Sequence, residues 1–110
     1  KYLVIIMTEA TYSNTPRVLP LPRDFSGFTV DSFRDEFEKL ALCDNTNIIL
    51  DFSETEFIDS SGIGAMVFLY KRIEKKGQNL ALLKVNGQPF KLMSLLRVDK
   101  TIPFIEQLEL

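Results

Sequence analysis

Residues 48–64 read IILDFSETEFIDSSGIG, and the rest of the chain is arranged around this stretch. Its first residues form an apolar run typical of a strand, and the polar segment SETE then leads to the turn DSSG at residues 59–62. A helix opens after the turn and is apolar for two turns. The turn therefore places two hydroxyl groups at a helix N-terminus, where backbone N–H groups lack partners and the helix dipole favours negative charge. A phosphate added to either serine would meet that local field.

The composition predicts a single domain spanning residues 1–110. The chain is 45% hydrophobic and has nine Phe, enough for a core without disulfides or metals. Its 13 basic and 15 acidic residues give a net charge of −2, which argues against a nucleic-acid partner because such proteins carry a basic face. Cys43 is the sole cysteine, so no internal disulfide forms, and a reducing cytoplasm fits.

The sequence contains no histidine. This excludes the commonest general base, the Ser-His-Asp and Cys-His constellations, and most zinc sites. The longest apolar runs, such as Leu3–Met7 and Ala65–Tyr70, are far shorter than a membrane span, and no signal peptide is evident. We therefore expect a cytoplasmic protein that does not enter a membrane. The native start of the chain stays open, since the sequence begins at Lys1.

The N-terminal part of the chain predicts two strands and one helix. Residues 2–8 are rich in β-branched and aromatic residues, and Val18–Leu21 follows as a second strand whose surrounding prolines indicate either a sheet edge or a late start. The two strands would form an antiparallel hairpin. Thr29 is a candidate N-cap. Apolar residues then recur at helical spacing from Val30 to Ala41, which predicts an amphipathic helix of about three turns.

The rest of the chain alternates strands with helices. We predict a buried strand at Ile48–Phe52, a helix at Ser61–Lys76 that ends at Gly77, and a strand at Leu80–Val85. Asn86-Gly87 is interpreted as a turn, and Pro89 suits the first turn of a third helix. A last strand at Ile102–Ile105 and a closing helix from Glu106 complete the pattern. The helical crossovers imply parallel strand neighbours, so the fold class is α/β, with a mixed sheet of four to five strands packed against helices.

The residues Asp51-x-Ser53 followed by FIDSSGIG at Phe57–Gly64 resemble the signature of bacterial anti-sigma factor antagonists, the stand-alone STAS domains. In that family the serine directly after the aspartate accepts a phosphate, which implies Ser60 here. The resemblance also implies the STAS fold and a protein without catalytic activity or cofactor. It implies two partners, namely an anti-sigma factor that is also a serine kinase of the histidine-kinase-like ATPase family, and a PP2C-type phosphatase.

The motif residues have other possible roles. Ser61 is a competing acceptor, and Asp59 or Ser60 would cap the helix in any case. Asp59 is a poor candidate for a metal ligand, and Asp51 with Ser53 more simply ends a strand and holds the crossing loop. No metal site is predicted.

The loop Arg23–Phe28 is expected beside the motif turn, because both follow the ends of neighbouring strands. Asp24 falls where the family often has an acid, whereas Ser26 stands where a second acid is common. This departure weakens the transfer of partner contacts from the family. The predicted partner-binding residues are Asp24, Ser26, Gly27, Asp59, Ser60, Ser61, Gly62 and Ile63.

Two other functions are considered. The chain could be the regulatory STAS domain of a transporter assembly, which transmembrane helices encoded upstream of Lys1 would reveal. It could also be an enzyme with Ser60 as nucleophile, but the sequence offers no histidine to activate that hydroxyl.

Overall fold

The computed structural model describes residues 15–108, in which short strands alternate with helices. In chain order the elements are β1 (Arg17–Pro20), β2 (Asp24–Phe25), a 3-10 helix (Val30–Phe33), α1 (Arg34–Leu42), β3 (Ile48–Asp51), β4 (Phe57–Ile58), α2 (Ser60–Glu74), β5 (Leu80–Leu83), α3 (Gly87–Leu95), a second 3-10 helix (Val98–Lys100) and β6 (Phe104–Ile105).

Four strands form a parallel sheet in the order β1-β3-β5-β6. One row of side chains runs across the whole sheet, since Leu19 pairs with Leu50, Leu50 with Leu82, and Leu82 with Phe104. The predicted α/β fold class, with a sheet of four strands packed against helices, is confirmed. The predicted strand at residues 2–8, and with it the antiparallel hairpin, lies outside the described residues.

The central strand β3 is buried on both faces. Ile48, Ile49 and Leu50 are 1%, 7% and 0% exposed, and successive side chains of a strand point to opposite faces. The continuous apolar run that predicted this strand therefore has the expected cause. Within residues 15–108, β1 is an edge strand of the sheet, which is one of the alternatives that its prolines indicated. It ends at Pro20, which has no N–H to donate.

Helices α1 and α2 pack against each other over an aromatic part of the core. The ring of Phe25 lies 5.7 Å from those of both Phe33 and Phe37. At the surface, Arg72 of α2 donates a hydrogen bond of 2.8 Å to Glu38 of α1, and this bond lowers the pKa of the Glu38 carboxyl. This bond thus joins α1 to the C-terminal part of α2.

The first helical segment begins differently from the prediction. Residues Val30–Phe33 form a 3-10 helix before α1 starts, and Thr29 stands at its N-cap position without a capping hydrogen bond. The Thr29 hydroxyl instead donates to the carbonyl oxygen of Asp24, at 2.5 Å, and accepts from the N–H of Ser26, at 3.0 Å. The predicted N-cap position of Thr29 is confirmed, but its side chain closes the preceding loop and does not bond to the helix.

Strands β2 and β4 form a second, two-stranded parallel sheet that the sequence analysis interpreted as loop. Asp24 pairs with Phe57, and Phe25 with Ile58. Each strand has two residues, which is too short for an alternating pattern to appear. This small sheet places the loop after β2 directly beside the turn before α2.

The C-terminal part follows the prediction with shorter strands. β5 ends at Leu83 because Lys84 has a φ of 56°, which breaks the extended conformation. The last strand covers only Phe104–Ile105, and residues 106–108 are not helical, so the predicted closing helix is absent there. Its remaining residues, 109–110, lie outside the described part. No helix within residues 15–108 is both long and apolar enough to cross a membrane.

Candidate functional site

The motif turn is held by the side chain of Asp59, which is the N-cap of α2. Its backbone is extended, with φ −123° and ψ −172°, and its Oδ1 accepts a hydrogen bond of 3.0 Å from the N–H of Gly62. Its own carbonyl oxygen accepts the first helical bond from Ile63. The prediction that Asp59 or Ser60 caps this helix is confirmed, and the capping residue is Asp59.

The second oxygen of Asp59 holds the neighbouring loop. Oδ2 accepts a hydrogen bond of 3.1 Å from the N–H of Gly27. The bond from Gly62 is the largest cause that lowers the pKa of the Asp59 carboxyl, and the bond from Gly27 is the next. One carboxylate thus joins the loop after β2 to the start of α2, which confirms the expected proximity of the two segments.

Gly62 is required by a close approach of two backbones. A Cβ placed on Gly62 would lie 2.3 Å from the carbonyl oxygen of Phe25 and 2.8 Å from Cγ1 of Ile58. Neither atom is the free end of a flexible side chain. Gly64, the second glycine of the motif, has no atom within 4 Å of such a Cβ, so of these two glycines only Gly62 is fixed by packing.

The two serines of the turn differ in surroundings. Ser60 is the first residue of α2 and is exposed, and its hydroxyl forms no hydrogen bond among the described residues. Ser61 is exposed too, but its Oγ lies 3.5 Å from the position that a Cβ on Gly27 would take. Neither hydroxyl forms a hydrogen bond among the described residues, and the two differ in that Ser61 lies against the loop at Gly27.

Ser26 is buried and shapes the loop from inside. It is 2% exposed, its Oγ accepts from the N–H of Phe28 at 3.3 Å, and its carbonyl oxygen accepts from Thr29 and Val30. A partner would not touch this side chain directly. Its role in the surface is to set the path of the chain through Gly27.

The eight predicted partner-binding residues fall into three groups. Those on the surface are Gly27, Ser60 and Ser61. Asp24 and Asp59 are half-buried, and Ser26, Gly62 and Ile63 are buried. Ile63 belongs to the hydrophobic core, so its burial argues for a packing role.

Sequence reasoning missed an aromatic side chain beside the turn. Phe28 follows Gly27 and is 95% exposed, although Phe is among the residues most often buried. Behind it, a groove of about 410 Å³ runs between the first helical segment and α2. Its lining includes Phe33, Phe37, Ser61, Gly64, Ala65 and Phe68. Exposure of this kind has no signal in a single sequence, because it depends on where the loop is held.

Two further predictions about the motif concern Asp51 and metal binding. Asp51 ends β3, and its Oδ1 accepts a hydrogen bond of 2.9 Å from the N–H of Ser53, so the predicted strand-ending role is confirmed. Within residues 15–108, no three His, Cys, Asp or Glu side chains are grouped in a way that could hold a metal ion.

Comparison with known proteins gives one family and a consistent fold. The family model described as STAS domain matches residues 6–110. A protein of Paenibacillus polymyxa described as an anti-sigma F factor antagonist is 31% identical over 72 residues, which are 66% of this chain and 60% of that protein. The match thus spans less than two thirds of the relative's length.

Two solved structures are similar in fold. One is an anti-sigma-factor antagonist (STAS) domain protein from Planctomyces limnophilus, with a TM-score of 0.80, 19% identity, and coverage of 88% of this chain and 87% of that one. The other is a sulfate transporter family protein from Wolinella succinogenes, with a TM-score of 0.71, 15% identity, and coverage of 88% and 81%. At these identities the likeness concerns the fold alone.

The first prediction compares two glycines of the same helix. Gly62→Ala should lower the free energy of unfolding by at least about 3 kcal/mol, the upper end of overpacking costs, because the added methyl meets the backbone of Phe25. Gly64→Ala, its matched control, should raise stability by about 0.5–1 kcal/mol, because alanine favours a helix and the space is open. Urea denaturation measures both, and equal effects would contradict the close approach.

The second prediction concerns pH. Because folding lowers the pKa of Asp59, its ionised form stabilises the native state fully above the usual Asp pKa of about 3.9, and this contribution is lost as the pH falls through the lower native pKa. Wild type should therefore exceed Asp59→Asn in free energy of unfolding near neutral pH, and the gap should shrink in acid. Urea titrations across this pH range measure it, and a gap independent of pH would refute the assignment.

Proposed function

Since this chain belongs to the STAS domain family, we propose that it is an anti-sigma factor antagonist whose binding is controlled by phosphorylation of Ser60. Without phosphate, it binds an anti-sigma factor that is also a serine kinase and so releases a sigma factor. When the kinase phosphorylates Ser60, the complex dissociates. A PP2C-type phosphatase then removes the phosphate and restores binding. The chain itself acts by binding in the cytoplasm, without catalysis, a cofactor or a membrane.

The observation that carries this proposal is the exposed Ser60 hydroxyl on a rigid helix start. Ser60 follows the capping residue Asp59, is exposed, and makes no hydrogen bond among the described residues that a kinase would have to break. The buried Gly62 and the bond from Gly27 to Asp59 fix the backbone on both sides of it. A kinase would therefore meet Ser60 on a backbone held in one conformation.

Charge supplies the switch. A phosphoserine adds about −1.5 to −2 at neutral pH, which is comparable with the net charge of −2 of the whole chain. Asp59 already binds the N–H of Gly62 and is itself negative, so a phosphate at the helix start would lie beside a carboxylate and would not have that N–H available. Its charge remains at the surface, where it repels an acidic contact and separates apolar ones. A loss of about 1.4 kcal/mol is enough for a tenfold weaker complex.

Two neighbouring residues support a partner surface at this edge. Asp24 is half-buried beside the turn, and its Oδ1 atom is buried with no hydrogen-bond partner within the described residues, so a shift of the loop on binding would bring this oxygen to a donor of another protein. The exposed Phe28 offers an apolar anchor of the kind that dominates binding energy at interfaces. Together with Ser60 they form one surface, which we call the switch surface.

A regulatory STAS domain of a transporter assembly is the second candidate. The fold likeness to the sulfate transporter family protein of Wolinella succinogenes favours it. The intact Asp59-Ser60-Ser61-Gly62 turn favours the antagonist. The gene upstream of Lys1 distinguishes the two, because a transporter would encode transmembrane helices there.

The third prediction tests the phosphate acceptor. With ATP and an extract of the source organism, wild type and Ser61→Ala should each gain one phosphate, and Ser60→Ala should gain none. Ser60→Asp should change the melting temperature by no more than a few degrees, which corresponds to about 1 kcal/mol in the free energy of unfolding. The same variant should bind the kinase fraction at least about tenfold more weakly. Intact mass, peptide mapping and thermal unfolding measure these outcomes. Phosphate on Ser60→Ala would overturn the site assignment, and unfolding of Ser60→Asp would make Ser60 a structural residue.

The fourth prediction tests the switch surface. Phe28→Ala should slow phosphorylation of Ser60 in the same extract by at least about tenfold, because the kinase loses an anchor worth about 1.4 kcal/mol or more. Leu42→Ala is the matched control, since Leu42 is 67% exposed but is the last residue of α1. This end of α1 lies near the C-terminal end of α2, away from Ser60, because the neighbouring Ala41 accepts a hydrogen bond from Lys76. Equal rates for the two variants would remove Phe28 from the surface.

A further inference from the structure

The strand before the motif turn has a backbone partner on one side and a side-chain partner on the other. In β4, the N–H of Phe57 donates to the carbonyl oxygen of Arg23, next to β2. The backbone N–H and C=O groups of the next residue, Ile58, point away from β2, because these groups alternate in direction along a strand. Its N–H donates to Oε1 of Gln88 at 2.9 Å, and its carbonyl oxygen accepts from Nε2 of Gln88 at 3.0 Å.

The Gln88 amide thus takes the place of a third strand. A primary amide offers one acceptor and suitable donors in one plane, which matches the N–H and C=O of a peptide. Ile58 is fully buried, so its backbone groups need partners. The carbonyl of Ile58 belongs to the peptide plane that leads into Asp59, and the bond from Nε2 therefore fixes that plane two residues before Ser60.

Ile58 is also the neighbour of the helix start. Its Cγ1 would lie 2.8 Å from a Cβ on Gly62, so the two residues are already in close contact. A shift of Ile58 would move Asp59 and open its bonds to Gly27 and Gly62 together. Gln88, from the C-terminal half of the chain, thus contacts the segment before the turn through two hydrogen bonds to Ile58.

We infer that Gln88 is a positioning residue for the Ser60 turn, which it holds through the backbone of Ile58 and not by touching any motif side chain. It stands in the first turn of α3, just after Gly87, whose φ is 59°. The start of α3 thereby becomes part of the switch. The role in signalling rests on the proposed function of Ser60, whereas the geometric role does not.

The test uses nuclear magnetic resonance on the whole chain without a kinase. Gln88→Leu keeps the side-chain size and removes both bonds, and Gln88→Glu keeps an acceptor but loses the donor. Gln78→Leu is the matched control, because the Gln78 amide donates to the carbonyl of Thr46. Both residues precede strands, β5 and β3, so this bond lies at the N-terminal ends of the strands, away from the Ser60 turn. Asn86→Ala is a local control, since Asn86 donates only to Lys84.

In Gln88→Leu we expect hydrogen-exchange protection of the Gly27 and Gly62 amides to fall at least about tenfold more than that of the β3 and β5 amides. The titration midpoint of the Asp59 carboxyl should move up towards the usual range, because that pKa is lowered by those two amides. Gln88→Glu should do the same to a smaller extent, and it serves alone if Gln88→Leu does not fold. Gln78→Leu and Asn86→Ala should leave the Asp59 midpoint unchanged.

Two results would overturn the inference. One is a uniform loss of protection over all strands in both Gln88 variants, which would mean that Gln88 contributes only to global stability. The other is an Asp59 midpoint that stays at the wild-type value. If these measurements come out as expected while Ser60 takes no phosphate, the proposed function fails and the positioning role of Gln88 remains.

Discussion

The carboxylate of Asp59 is the interaction on which the candidate site depends. Its two oxygens accept from two backbone N–H groups, one at the start of α2 and one in the loop after β2. Both bonds require that the two segments approach closely, and Gly62 is the residue whose missing side chain allows it. The pair of bonds also keeps the carboxyl ionised, because each favours the charged form. The contact with Gly27 thus ties the loop that carries Phe28 to the start of α2.

This arrangement bears on how a phosphate could act. A helix N-terminus is commonly regarded as a ready anion site, because its first N–H groups lack partners. Here the side chain of the capping residue already binds one of these groups, the N–H of Gly62, so part of that capacity is used before any modification. A second anionic group would sit next to a carboxylate. The effect of modification would then fall on the outer face of the turn, and the backbone beneath it would stay in place.

The sequence was sufficient for features with local causes. The buried strand β3, the cap at Asp59 and the closeness of the loop after β2 could be predicted, because a continuous apolar run, a capping residue and parallel strand order each leave a signal over a few residues. The pair β2–β4, the burial of Ser26, the exposure of Phe28 and the bonds from Gln88 could not. They depend on contacts between segments about 30 residues apart, which no local pattern records.

The partners of the motif turn come from far along the chain in both directions. Asp59 binds Gly27, 32 residues upstream, and Ile58 binds Gln88, 30 residues downstream. Contacts of such sequence separation form only when the chain has assembled around them. A partly folded or truncated molecule would carry the same serine in a shapeless segment, without the fixed turn. The geometry of the site therefore exists only in the folded protein. A partner that depends on this geometry would bind native molecules and would not bind partly folded ones.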